Sequence, residues 1–271
     1  MDQRPIGIFD SGLGGLTAAK ALEEILPGEN LIYFGDNRNA PYGTRSRDQL
    51  AKLAAANAGF LCGFDCKAIL VACGTVSSNA MDLLRARFDL PICGVLERAC
   101  RDAVARTRTG RIAVIATDAT IHSDAYAREL RRLDSGVEVF AKSCQSLVMV
   151  TERGHFAQDD PVARAAVAEE LAPVKAWGPD VLILACTHFP LLSDAIAELM
   201  GPDTALVSVS ASAAWELKEL LTAKEMLADG RAGTGRWFTS GDAAEFASYA
   251  TAFLGHGITA QQHINQESED L

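Results

Sequence analysis

Two cysteines occupy matching settings. The stretch AILVACGTVSSNA (68–80) ends an apolar run with Ala72-Cys73 and turns into small hydroxyl residues. VLILACTHFPLL (181–192) does the same at Ala185-Cys186 and continues with Thr187 and His188. Short apolar runs bounded by polar residues read as buried strands, so each thiol stands where a strand ends. Helix N-termini and acids near such a rim tune a thiol for acid–base work. Two such groups on opposite faces of one carbon suit a particular reaction: one removes a proton, the other returns it from the far side, and the centre inverts. Hydroxyls of Ser11, Thr75 and Thr187 are candidate donors to the carboxylate that carries the developing charge. His188, two residues beyond Cys186, is placed to polarise a substrate or assist that thiol.

Cofactors are not called for. No motif suggests pyridoxal phosphate, flavin or a metal. Cys62, Cys66 and Cys73 lack a paired C-x₂-C, and Cys186-Thr187-His188 has no matching second pair. Cys62, Cys66, Cys93, Cys100 and Cys144 read as small buried hydrophobes. The segment FDSGLGG, which contains Asp10, is neither a dinucleotide fingerprint, because Thr17 takes the place of the third glycine, nor a P-loop, because no G-K-[ST] follows. It reads either as a turn that contacts an anion or as a plain strand-to-helix turn capped by Asp10. The loop YFGDNRNAPYGTRS (33–46) is rich in turn residues, and Tyr42 between Pro41 and Gly43 is held stiffly enough to wall a binding site.

Placing these residues requires a parallel-sheet frame. Expected strands cover 6–9, 30–34, 68–72, 92–94, 112–116, 137–141, 181–185 and 205–208, alternating with amphipathic segments at 16–26, 46–63, 124–133 and 161–177. The class is α/β, with two similar α/β domains of mostly parallel sheets and the active site in the cleft between them. Both halves run strand, polar turn, helix, strand, helix, and then a strand ending in Ala-Cys. The first unit is expected over 1–97 plus 208–271, with RWFTSGDAAEFASYATAFLG folding back onto it, and the second over 98–207. Asp10, Cys73, Thr117 and Cys186 all follow strands directly, on the rim where open parallel sheets bind ligands.

A chain of 271 residues with 49% hydrophobic and 22% charged residues has a globular balance. A net charge of -10 and a pI near 5.0 argue against nucleic acid or anionic membrane as partners. No apolar run approaches the ~20 residues of a membrane span, and the N-terminus has no signal-peptide pattern. The seven cysteines, an odd number, read as reduced thiols of a cytoplasmic protein. The polar tail HINQESEDL is expected to fray.

At the residues singled out, the chain resembles the glutamate racemases of the aspartate/glutamate racemase superfamily. The matching segments, in order, are GIFDSGLGGLT, YFGDNRNAPYGTRS, ACGTVSS, ATDATIHSDAY, LVMVTERG, LACTHFPLL and FTSGD. The resemblance implies cofactor-independent interconversion of L- and D-glutamate, supplying D-glutamate for peptidoglycan, in a homodimer of two-domain chains. It implies that Cys73 acts on the α-proton of D-glutamate and Cys186 on that of L-glutamate. Asp10 would support Cys73, and His188 and Glu152 would support Cys186. Asp10, Ser11, Pro41, Tyr42, Gly43, Gly74, Thr75, Thr120, Thr187 and His188 would hold the substrate.

Two departures stand out. The first cysteine of the family is most often followed by Asn, and here by Gly74, so the lost amide contact must come from backbone, water or a hydroxyl such as Ser77. An acid often found after the last strand of the second domain is replaced by Ser208. Rival readings are a racemase for aspartate or a hydantoin, a phosphoryl-transfer enzyme using FDSGLGG on nucleotide phosphates, and a non-catalytic ligand-binding protein.

Overall fold

The structure, a computed structural model, describes residues 1–265. Its frame is two parallel sheets. The first contains β1 (Ile6–Asp10), β2 (Leu31–Gly35), β3 (Ala68–Val71), β4 (Ile92–Cys93), β9 (Gly235–Thr239) and β10 (Ala260–Gln262). The second contains β5 (Arg111–Ala116), β6 (Glu138–Ser143), β7 (Val181–Leu184) and β8 (Ala205–Ser208). Every residue of β1, β2, β3 and β7 is buried, as strands covered by helices on both faces require. β6 instead lies on an edge and is half exposed, which weakens its apolar signal and explains why it runs two residues past the expected end.

The strand order is β10-β9-β2-β1-β3-β4 in one sheet and β6-β5-β7-β8 in the other. The four strands β2-β1-β3-β4 therefore correspond one for one to β6-β5-β7-β8, so the repeated sequence pattern is a repeated topology. In each set the order reverses between the first strand and the one leading to a cysteine. Asp10 and Cys73 flank the reversal after β1 and β3, and Thr117 and Cys186 flank that after β5 and β7. Ligands of open α/β sheets sit at such reversals, beyond the carboxyl ends of the strands.

The last segment does fold back: β9 pairs in parallel with β2, from Leu31 opposite Gly235 to Gly35 opposite Thr239. Neither β9 nor β10 is among the expected strands, because both are exposed over part of their length, which breaks the apolar run. The start of the tail is fixed rather than frayed. His263 N–H donates to Thr239 O (2.8 Å), its ring stacks on Phe60 at 4.0 Å, and Asn265 Nδ2 donates to Asn57 Oδ1 (2.9 Å). The acidic remainder, 266–271, lies outside the described residues.

Helix boundaries follow local chemistry. Helix Arg47–Cys62 begins with a reciprocal capping box between Ser46 and Gln49. Helix Pro161–Trp177 is capped by Asp160, starts on a proline and stops at Gly178, whose φ of 72° suits glycine. One apolar cluster contains residues of both sheets, such as Ile8, Leu70, Ile112 and Ile183, together with Leu217 and Leu221 of helix Val209–Ala223. The two sheets thus share a core behind the cysteines. Among the described residues no helix is long and apolar enough to cross a membrane.

A buried ion pair fastens the connection that returns to β9. Lys67 Nζ lies 2.5 Å from Glu29 Oε2 and donates to Asp2 O and Met226 O (2.7 Å each), so all three of its protons are used. Glu29 Oε1 accepts from Ala228 N–H (2.9 Å). Replacing Lys67 strands a carboxylate in the interior. Lys67→Met should therefore lower the unfolding free energy by about 3–5 kcal/mol in urea titrations. A loss below about 1 kcal/mol would show that the pair holds nothing together.

Candidate active site

The two strand reversals open onto one cavity of about 20 Å³, room for about one water molecule. From the first sheet's loops it is lined by Asp10, Ser11, Pro41, Tyr42, Gly43, Cys73, Gly74 and Thr75. From the second come Glu152, Cys186, Thr187 and His188. Of the expected site residues only Thr120 does not line it. Thr120 Oγ1 accepts from Thr117 Oγ1 (3.0 Å), which does line it and shares a hydrogen bond with Thr75 Oγ1 (2.9 Å). Thr120 thus sits one hydroxyl behind the wall.

Asp10 ends β1 and is fully buried. Its Oδ2 accepts from Gly12 N–H (3.1 Å) and Gly15 N–H (2.9 Å), so the carboxylate folds the turn that leads into helix Leu16–Ile25. A Cβ on Gly15 would lie 2.4 Å from Asp10 Cβ, which is why the turn needs glycine there. Two N–H groups of this turn are thereby taken up by Asp10 and not offered to an anion.

Cys73 precedes the short helix Gly74–Asn79, and its thiol lies 3.8 Å from Ser11 Oγ as donor. Burial pushes the thiol up to about 12, and the Asp10 charge adds to this. The Val76 N–H and Ser11 oppose it but do not win. Cys73 is therefore a neutral thiol at rest. Burial also raises the Asp10 carboxyl, against the pull of His188 and of its backbone donors.

Cys186 has different company. Its Sγ lies 3.6 Å from His188 Nδ1, and His188 Nε2 lies 3.4 Å from Glu152 Oε1. Burial alone would lower the imidazole, but the contacts with Cys186 and Glu152 outweigh it and hold His188 up to about 10. The charged imidazole thus lies between the Cys186 sulfur and the Glu152 carboxylate. The cavity thus carries one neutral thiol and one thiol paired with a cation.

The departures resolve physically. A Cβ on Gly74 would lie 2.5 Å from Ala185 O, so the close approach of the two rims leaves no room for a side chain there. Ser77 is not the replacement donor: its hydroxyl donates to Val71 O (3.2 Å) and accepts from Val95 N–H (3.1 Å). Ser208 caps helix Val209–Ala223 through Ala211 N–H. Tyr42 walls the cavity, but its hydroxyl donates to Asp36 Oδ2 (2.5 Å) and accepts from Asn57 Nδ2 (3.0 Å), so it is not free for a ligand.

Two lining residues escape a reading of the sequence, Gln145 and Val148. Both belong to helix Gln145–Glu152 after the edge strand β6. The one signal was a polar residue just past a strand end, and the edge strand was itself weakly marked.

The sequence profile of the Asp/Glu/hydantoin racemase family matches residues 15–217. The chain is similar to the glutamate racemase of Corynebacterium diphtheriae, at 43% identity over 96% of this chain and 97% of that one. A crystal structure of glutamate racemase isoform RacE1 from Bacillus anthracis superposes with a TM-score of 0.94, at 34% identity, covering 97% and 98% of the two chains. Glutamate racemase from Francisella tularensis in complex with D-glutamate superposes at 0.89, with 33% identity over the full length of both. The chain belongs to the glutamate racemases of the Asp/Glu/hydantoin racemase family.

Proposed function

We propose that the chain interconverts L- and D-glutamate without a cofactor, and so supplies D-glutamate for peptidoglycan. The observation that carries this reading is the placement of Cys73 and Cys186, from topologically equivalent strand ends, on one small cavity. In the L-to-D direction the Cys186 thiolate, held by the His188 imidazolium and through it by Glu152, takes the α-proton. The Cys73 thiol, kept neutral by burial and by Asp10, gives its proton to the opposite face. The sulfurs then hold the reverse protonation, which is the state that D-glutamate needs. Hydroxyls of Ser11, Thr75 and Thr187 face the carboxylate on which charge develops, where donors fixed in advance stabilise the transition state more than the ground state.

A cavity of about 20 Å³ does not hold glutamate, so the cleft opens to admit it and closes again over it. Closure excludes water, which would otherwise exchange protons with the carbanion. The moving bodies are two domains, 1–97 with 208–271 and 98–207. The same reading makes the protein a cytoplasmic homodimer with no nucleic-acid or membrane partner.

The purified protein, without added cofactor or metal, should exchange the α-proton of glutamate with solvent deuterium. Because enantiomers have equal free energies, kcat/KM must be the same in both directions. Exchange with aspartate and none with glutamate would move the substrate to the rival amino acid.

Cys73→Ala and Cys186→Ala should each lower kcat by at least about 10²–10⁴-fold, whereas Cys93→Ala and Cys144→Ala should change it little. Wild-type turnover by Cys186→Ala would sink the two-thiol scheme.

His188 also carries a pH signature. Its pKa is about 10 in the folded chain and about 6.5 unfolded, so the folded state holds the proton more tightly. The resulting stabilisation is whole below pH ~6.5, declines above it and is gone once the pH has risen through ~10. The stability difference between wild type and His188→Asn, read from urea unfolding, should shrink steadily from pH 6 to pH 10. A difference that stays constant would mean that His188 is neutral throughout.

A further inference from the structure

Gln145 is the polar side chain on the cavity that the proton-transfer scheme leaves unused. It opens helix Gln145–Glu152, which ends at the carboxylate contacting His188. Its Oε1 is buried and has no hydrogen-bond partner. The amide presses across the cleft against Gly43: a Cβ there would lie 2.5 Å from Oε1 and 3.3 Å from Cδ. Glycine at position 43 is what lets the amide reach in from the second sheet's side. Buried amide oxygens normally have donors, so an unpartnered one turned toward a ligand cavity marks a place where a ligand supplies the donor.

The chemistry of the substrate selects that donor. Glutamate carries two carboxylates, which only accept, and one α-ammonium, which only donates. We propose that Gln145 Oε1 accepts a hydrogen bond from the α-ammonium of glutamate, making Gln145 a substrate-binding residue contributed by the half that carries Cys186. The inference rests on the reading of this chain as acting on glutamate. A neutral amide suits the task because it orients the ammonium without adding a further negative charge beside the carbon that becomes a carbanion. It also supplies a side-chain amide to the cleft in which Gly74 offers none. The contact forms when the cleft closes on substrate, since the same closure seats Gln145 against Gly43.

The test compares glutamate with glutarate, which keeps both carboxylates and lacks the ammonium. Gln145→Met preserves the length of the side chain and removes the amide; Gln145→Leu does so with a different shape, and urea midpoints establish that each variant is folded. Wild-type exchange of the glutamate α-proton in deuterated solvent is measured first, and its absence would sink the functional reading itself. Given an active wild type, both variants should raise KM for glutamate by about tenfold or more with kcat within about threefold, as expected for loss of a hydrogen bond to a charged group. The inhibition constant of glutarate should stay at its wild-type value. An unchanged KM for glutamate, or equal weakening of glutamate and glutarate, would overturn the assignment.

Discussion

The rims of the two sheets meet at glycines, and the arrangement of the site follows from how closely they do so. Gly74 stands against Ala185 O, Gly43 against Gln145 and Thr117, and Gly14 against His188 and Thr187, each at a distance where a Cβ would collide. In all three contacts a glycine of the first half faces a residue of the second. Any side chain at these points would hold the rims apart by its own thickness. Glycine costs conformational entropy on folding and contributes no packing of its own. At this seam, that cost is offset by a cleft narrow enough for groups from both halves to line one cavity.

Closeness also sets the electrostatics. With the cavity small and its lining largely buried, charges interact strongly and unpaired ones are penalised. Burial raises the thiol of Cys73, and the charge of Asp10, whose carboxylate folds the turn at the end of β1, adds to it. The imidazole of His188 stands beside Cys186 and reaches toward Glu152. Two cysteines that look alike in sequence therefore have different neighbours, a carboxylate beside Cys73 and a cationic imidazole beside Cys186.

Much of this was legible in the chain. Apolar runs ending in Ala-Cys mark strand ends, because a parallel strand buried on both faces must be apolar throughout and must stop where polar residues begin. From those runs followed the α/β class, eight of the ten strands and the equivalence of the two halves. Twelve of the thirteen expected site residues line the cavity, and Thr120 stands just behind its wall. β9 and β10 escape the pattern because partial exposure blurs it, and the first residues of the tail are held rather than frayed because His263 packs on Phe60, a partner far away in sequence.

The sequence by itself determined which residue types reach the rim, since periodicity and turn chemistry are local and act within a few residues. Only the tertiary structure decided what they do there. It shows that Tyr42 spends its hydroxyl on Asp36, that Ser77 is held by Val71 and Val95, and that Asp10 binds its own turn. It also brings Gln145 from a helix behind an edge strand to the face of Gly43. Hydrogen-bond partners and desolvation depend on groups that are distant in the chain and close in space, and no local pattern encodes that distance.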